Sequence, residues 1–65
     1  MKRRDLERHL REHGCRRIDE GGSHTKWAGP TDVGRTAVPR HREIDHRLAR
    51  AICAQLGVPP PTGSR

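Results

Sequence analysis

Two adjacent glycines, Gly21 and Gly22, constrain the fold of this chain more than any other feature. Without a Cβ, glycine reaches positive φ at no steric cost, so the pair suits the two-residue turn of a β-hairpin. The flanking segments, residues 15–20 and 24–29, have the length and pattern of its two strands. The first alternates weakly about Ile18, and the second carries Trp27, the only aromatic residue. Successive side chains of a strand point to opposite faces. His24 and Lys26 therefore share one face, and Thr25 and Trp27 share the other. With Trp27 turned to the core, His24 and Lys26 face solvent together at the mouth of the hairpin.

The rest of the chain supplies elements that can cover one face of that hairpin. In residues 2–13, Leu6 and Leu10 recur at i, i+4 with His9 and His13 beside them, which predicts a short amphipathic helix. Gly14 stops it. The turn residues of 29–34 predict a loop, and residues 35–38 a third strand with Thr36 and Val38 on one face, ended by Pro39. After a polar connection over 40–43, a second helix is expected from about Asp45, as N-cap, to Leu56. Ile44, Leu48, Ile52 and Leu56 recur in it at every fourth residue, Gly57 closes it, and Val58 tucks back. The domain is expected to span residues 1–58, with the proline-rich residues 59–65 as a flexible tail. The order helix, three strands, helix predicts an α+β, double-stranded-RNA-binding-like fold, with a three-stranded antiparallel sheet and both helices on one face. Its expected core is Leu6, Leu10, Ile18, Trp27, Val38, Leu48 and Ile52.

Such a core is small. With 65 residues and 29% hydrophobic content, the chain can form one domain whose function sits on its surface. Fourteen Lys and Arg against eight Asp and Glu leave a net charge of +6, which points to nucleic acid or an acidic protein as partner. The arginine share favours phosphate, because the guanidinium group offers a planar, bidentate fork. No apolar run suits a signal peptide or a membrane span. Cys15 and Cys53 lie too far apart in sequence to suggest a disulfide framework, and neither belongs to a zinc-type Cys-x-x-Cys pair. A reduced, cytoplasmic setting without metal or cofactor is expected.

The hairpin mouth gathers the parts that phosphodiester chemistry needs. Imidazole exchanges a proton near neutral pH, which suits His24 to general acid-base work. The amides of Gly22 and Ser23 can approach an anion closely, and Lys26 adds a fixed positive charge. The same residues also suit a non-catalytic RNA-binding module that only contacts phosphate, or a basic face that docks an acidic protein. His9, His13 and His46 fall on helices and are assigned no chemistry.

The chain resembles the HicA (YcfA-like) toxins of toxin-antitoxin systems over residues 1 to about 58. The marks are Lys2-Arg3-Arg4-Asp5-Leu6 with His13-Gly14, the Gly-Gly-Ser-His-Thr turn at Gly21 to Thr25, Val38-Pro39-Arg40-His41 with Glu43-Ile44, and Ala49-Arg50-Ala51-Ile52-Cys53 running to Leu56-Gly57. The resemblance implies metal-independent cleavage of messenger RNA and inhibition by a HicB-type antitoxin. The protein would be a monomer when free and a hetero-oligomer with that acidic partner. It carries the family's catalytic histidine onto His24. Gly22, Ser23, Lys26, Arg35, Arg40 and His41 are the expected RNA or phosphate contacts, with His41 also the one candidate for the leaving-group acid.

Overall fold

The first helix forms because its apolar residues fall on one stripe. In the computed structural model, which describes residues 1–32 and 34–61, α1 spans Arg3–Glu12 and buries Leu6, His9 and Leu10. Val33 of the expected loop and residues 62–65 of the expected tail lie outside the described residues. Gly14, at φ 84°, lets the chain leave α1 with its end satisfied. The Gly14 amide donates to the Arg11 carbonyl at 3.0 Å and the Cys15 amide to the Leu10 carbonyl at 2.9 Å, the paired bonds of a Schellman closure.

Three antiparallel strands follow in the order β1 (Arg16–Gly21), β2 (His24–Ala28) and β3 (Arg35–Pro39). Gly21 pairs with His24, so the turn itself is Gly22-Ser23, one residue later than the Gly-Gly pair suggested. Only its first residue has positive φ, 50° at Gly22, as in a type II′ hairpin turn. On β2 the alternation is as expected: Thr25 and Trp27 are buried, His24 and Lys26 exposed. Thr25 faces Val38 and Trp27 faces Thr36 across β3, so these residues share the inner face.

Helix α2 spans His46–Leu56. Asp45 caps it, accepting from the Arg47 amide at 3.0 Å. Gly57 ends it at φ 74°, and Val58 donates back to the Cys53 carbonyl at 2.9 Å. Leu6 and Leu10 of α1 join Trp27, Val38, Ile52 and Leu56 in one core, so both helices cover the same face of the sheet. The architecture is the double-stranded-RNA-binding-like α-β-β-β-α fold. Close approach of the loop before β3 to α2 depends on glycine: a Cβ at Gly29 would meet the Leu56 carbonyl, and one at Gly34 the Gln55 carbonyl. Beside them, the Thr36 hydroxyl bonds the Gln55 side-chain oxygen.

Two expected core residues are not in the core. Ile18 is 41% exposed, because the register shifts between Arg17, opposite Trp27, and Asp19, opposite Lys26. That bulge leaves Ile18 unpaired on an edge strand with no buried residue. Leu48 is 40% exposed. Spacing by four advances ~400° around a helix, so the apparent row drifts by ~40° per step. The buried face is instead Ala49, Ile52, Cys53 and Leu56, and Leu48 lies about 90° from its centre. Ile44 is buried but precedes the helix.

The chain after α2 crosses back to α1. The His9 Nε2 proton is donated to the Pro59 carbonyl at 2.8 Å, and Pro61 is buried. Both cysteines are free and buried in the core. Burial pushes both thiols above their ordinary value, and for Cys53 the neighbouring Cys15 adds to the effect.

Candidate active site

His24 opens β2, the central strand, and its cross-strand neighbours are Gly21 on one side and Pro39 on the other. Neither has a long side chain, so the imidazole stands uncrowded on the open face of the sheet. Its Nδ1 lies 3.2 Å from the Ser23 Oγ. In the tautomer with the proton on Nδ1, that nitrogen donates to Ser23, and Nε2 presents a bare lone pair to solvent. Lys26, two residues on, shares the face. It stands between Asp19 and Ala37 in register, and it closes no ion pair with Asp19 among the described residues.

Arg40 joins this turn from the end of β3. Its amide donates to the Ser23 carbonyl at 3.0 Å, continuing the ladder past Pro39, and its guanidinium donates to the Gly22 carbonyl at 3.3 Å. Of the residues singled out from the sequence, the fold therefore brings Gly22, Ser23, His24, Lys26 and Arg40 together. His41 follows Arg40 and is exposed. Arg35 sits at the far end of β3, opposite Ala28 and about 13 Å along the strand from Pro39. There it pairs with Asp32 at 3.9 Å, which also takes Arg16 at 3.2 Å.

Lys2, Arg3, Arg4 and Arg42 received no role from the sequence, yet with Arg40 they line a pocket of about 450 Å³ beside the turn. The available signal was three cations in a row at the start of a helix, where the dipole favours acids. Among the described residues no three His, Cys, Asp or Glu side chains converge as a metal-holding group. His9 and His13 stack with ring centroids 4.3 Å apart, and His13 Nδ1 donates its proton to the His9 carbonyl at 2.9 Å. No helix of the described residues is long and apolar enough to cross a membrane.

The fold thus presents a solvent-facing histidine at a glycine turn, with a lysine that closes no ion pair among the described residues and an arginine clamped to the turn beside it. The chain belongs to the HicA toxin family. The model of that family, described as HicA toxin of bacterial toxin-antitoxin, matches residues 3–58, from the first residue of α1 to the residue that folds back after α2. Membership makes it the toxin of a toxin-antitoxin pair and implies a partner antitoxin. No curated protein and no solved structure matches the chain.

Proposed function

We propose that this toxin is a metal-independent endoribonuclease that cleaves messenger RNA in the cytoplasm, with His24 as the catalytic base. His24 Nε2 takes the proton from a ribose 2′-OH, and the 2′ oxygen attacks the adjacent phosphorus. The bond from phosphorus to the 5′ oxygen breaks, leaving a 2′,3′-cyclic phosphate and, once that oxygen is protonated, a 5′-OH end. Lys26 and the Gly22 and Ser23 amides stabilise the charge that builds on the non-bridging oxygens, and Ser23 Oγ fixes the orientation of the ring. Arg40 holds the turn and adds charge, His41 is the candidate for the acid at the leaving oxygen, and Arg35 contacts the strand farther along the sheet. The observation that carries the reading is the exposed imidazole with Nδ1 engaged by Ser23 and Nε2 open.

A nuclease that reads RNA chiefly through backbone charge needs an inhibitor that occupies the same surface. The proposed inhibitor is an acidic, HicB-type antitoxin that covers residues 21–27 and buries His24, with Arg35 and Arg40 among its ion-pair partners. At +6 the toxin attracts such a partner at long range, and added salt weakens that attraction. The test is cleavage of a labelled messenger RNA in EDTA, with the new ends analysed and antitoxin then titrated in. Cyclic phosphate and 5′-OH ends are expected, with RNA and antitoxin competing for the toxin. Ends of another chemistry, or RNA and antitoxin bound together with cleavage continuing, would contradict the proposal.

A further inference from the structure

A short backbone pairing gathers cations that the sequence keeps about 40 residues apart. The Arg3 amide donates to the Arg42 carbonyl at 2.9 Å, the Ile44 amide to the Met1 carbonyl at 2.7 Å, and the terminal amine to the Ile44 carbonyl at 2.8 Å. The start of α1 is thereby fixed beside the segment that leaves β3. Lys2, Arg3, Arg4, Arg40 and Arg42 line the resulting pocket of about 450 Å³, and among the described residues no acid lines it.

The charge there is concentrated and uncompensated: Arg11, Lys26, Arg47 and Arg50 also close no ion pair among the described residues, but none of them lines this pocket, whereas the pocket gathers five such cations. Arg8, Arg16, Arg17 and Arg35 each lie within ion-pair distance of an acid. None of the five pocket cations does, among the described residues. Lys2, Arg3 and Arg4 also occupy the N-terminal end of α1, where the helix dipole disfavours positive charge. Stability therefore gives no reason for the cluster. An anionic ligand does.

We propose that this pocket is a second phosphate subsite, which grips the RNA backbone at nucleotides flanking those seated at the Gly22-Ser23 turn. The proposal rests on the reading above only in taking RNA as the ligand. Arg40 supports RNA over an acidic protein segment: the same guanidinium lines the pocket and donates to the Gly22 carbonyl, so pocket and turn form one continuous cationic track. A polymer with a phosphate on every nucleotide can occupy both at once. Arginine forks suit such oxygens bidentately.

The test measures binding alone, so it does not depend on catalysis. In the full chain carrying His24→Ala, the affinity for a fluorescein-labelled single-stranded oligouridylate of about 12 nucleotides is followed by anisotropy against salt. Arg4→Gln with Arg42→Gln should weaken binding and make the plot of log affinity against log salt shallower by about 1.4, ~0.7 for each lost phosphate contact. The control, Arg8→Gln with Arg17→Gln, removes equal charge outside the pocket and should change the slope by clearly less. The pocket variant should melt no lower than its parent, and Arg4→Lys with Arg42→Lys should recover most of the slope. Equal losses in pocket and control variants would overturn the subsite in favour of diffuse attraction. Unchanged RNA binding with weakened binding of polyglutamate would overturn it in favour of an acidic protein. If the pocket variant alone loses affinity while the wild-type protein cleaves nothing, the subsite stands and the catalytic reading falls.

Discussion

Replacing Trp27 with alanine should unfold this protein, and the structure says why one residue matters so much. Trp27 is wholly buried at the centre of the inner sheet face, with the Arg11 guanidinium carbon 5.3 Å above its ring. Removing so large a buried side chain costs about 3–5 kcal/mol, from lost transfer energy and the cavity left behind. The core of a domain this small rarely supplies more than about 3–5 kcal/mol. The two figures nearly cancel, so Trp27→Ala should populate the unfolded state heavily at room temperature. Leu48→Ala is the matched comparison, since Leu48 lies outside the core despite its place in the four-residue row. It should change stability by no more than about 0.5 kcal/mol, a melting shift of roughly 2–4 °C. Circular dichroism melts and urea titrations of both variants decide the matter. A cooperative melt of Trp27→Ala close to that of the parent, or a loss in Leu48→Ala approaching that expected of Trp27→Ala, would refute the packing described here.

Two further predictions concern packing and pH. Gly34→Ala should lower the melting temperature by at least ~4 °C, because its Cβ forces the loop off the Gln55 carbonyl at the end of α2; an unchanged melt would show that the approach is not close. Burial raises the Cys15 and Cys53 thiols in the folded state, so the unfolded chain loses its thiol protons first as pH rises. Their contribution to stability is thus complete below the ordinary thiol value of 9.0 and declines as pH climbs through and past it. Urea titrations across that range should show the decline in the parent and less of it in Cys15→Ala with Cys53→Ala, and equal declines in both would contradict the assignment.

Features set by near neighbours in sequence were legible in the chain itself. The hairpin, the glycine closures after α1 and α2, and the Asp45 cap each depend on a few adjacent residues. The exposure of His24 followed from Trp27, because one large apolar residue fixes the alternation of a whole strand. Ile18 and Leu48 misled for different reasons. The bulge at Ile18 arises only when β1 is laid against β2, and spacing by four matches a helix for two turns but drifts off its face over three. The pocket of Lys2, Arg3, Arg4, Arg40 and Arg42 was illegible because residues 1–3 and 42–44 meet only in the folded chain. The partition of the charged residues was hidden likewise: Arg35 reads like Arg40 in sequence, yet one is paired with Asp32 and the other clamps the turn.

The central claim is that His24 performs the chemistry, and single-turnover cleavage of a labelled RNA in EDTA tests it most directly. His24 is exposed, and among the described residues its ring bonds only the neighbouring Ser23 hydroxyl, so His24→Ala should keep the parent melt and most of the RNA affinity. Its cleavage rate should fall by about 10²–10⁴-fold, the usual contribution of a general base. His24→Ala protein that is folded, binds RNA and cleaves at the wild-type rate would contradict the account.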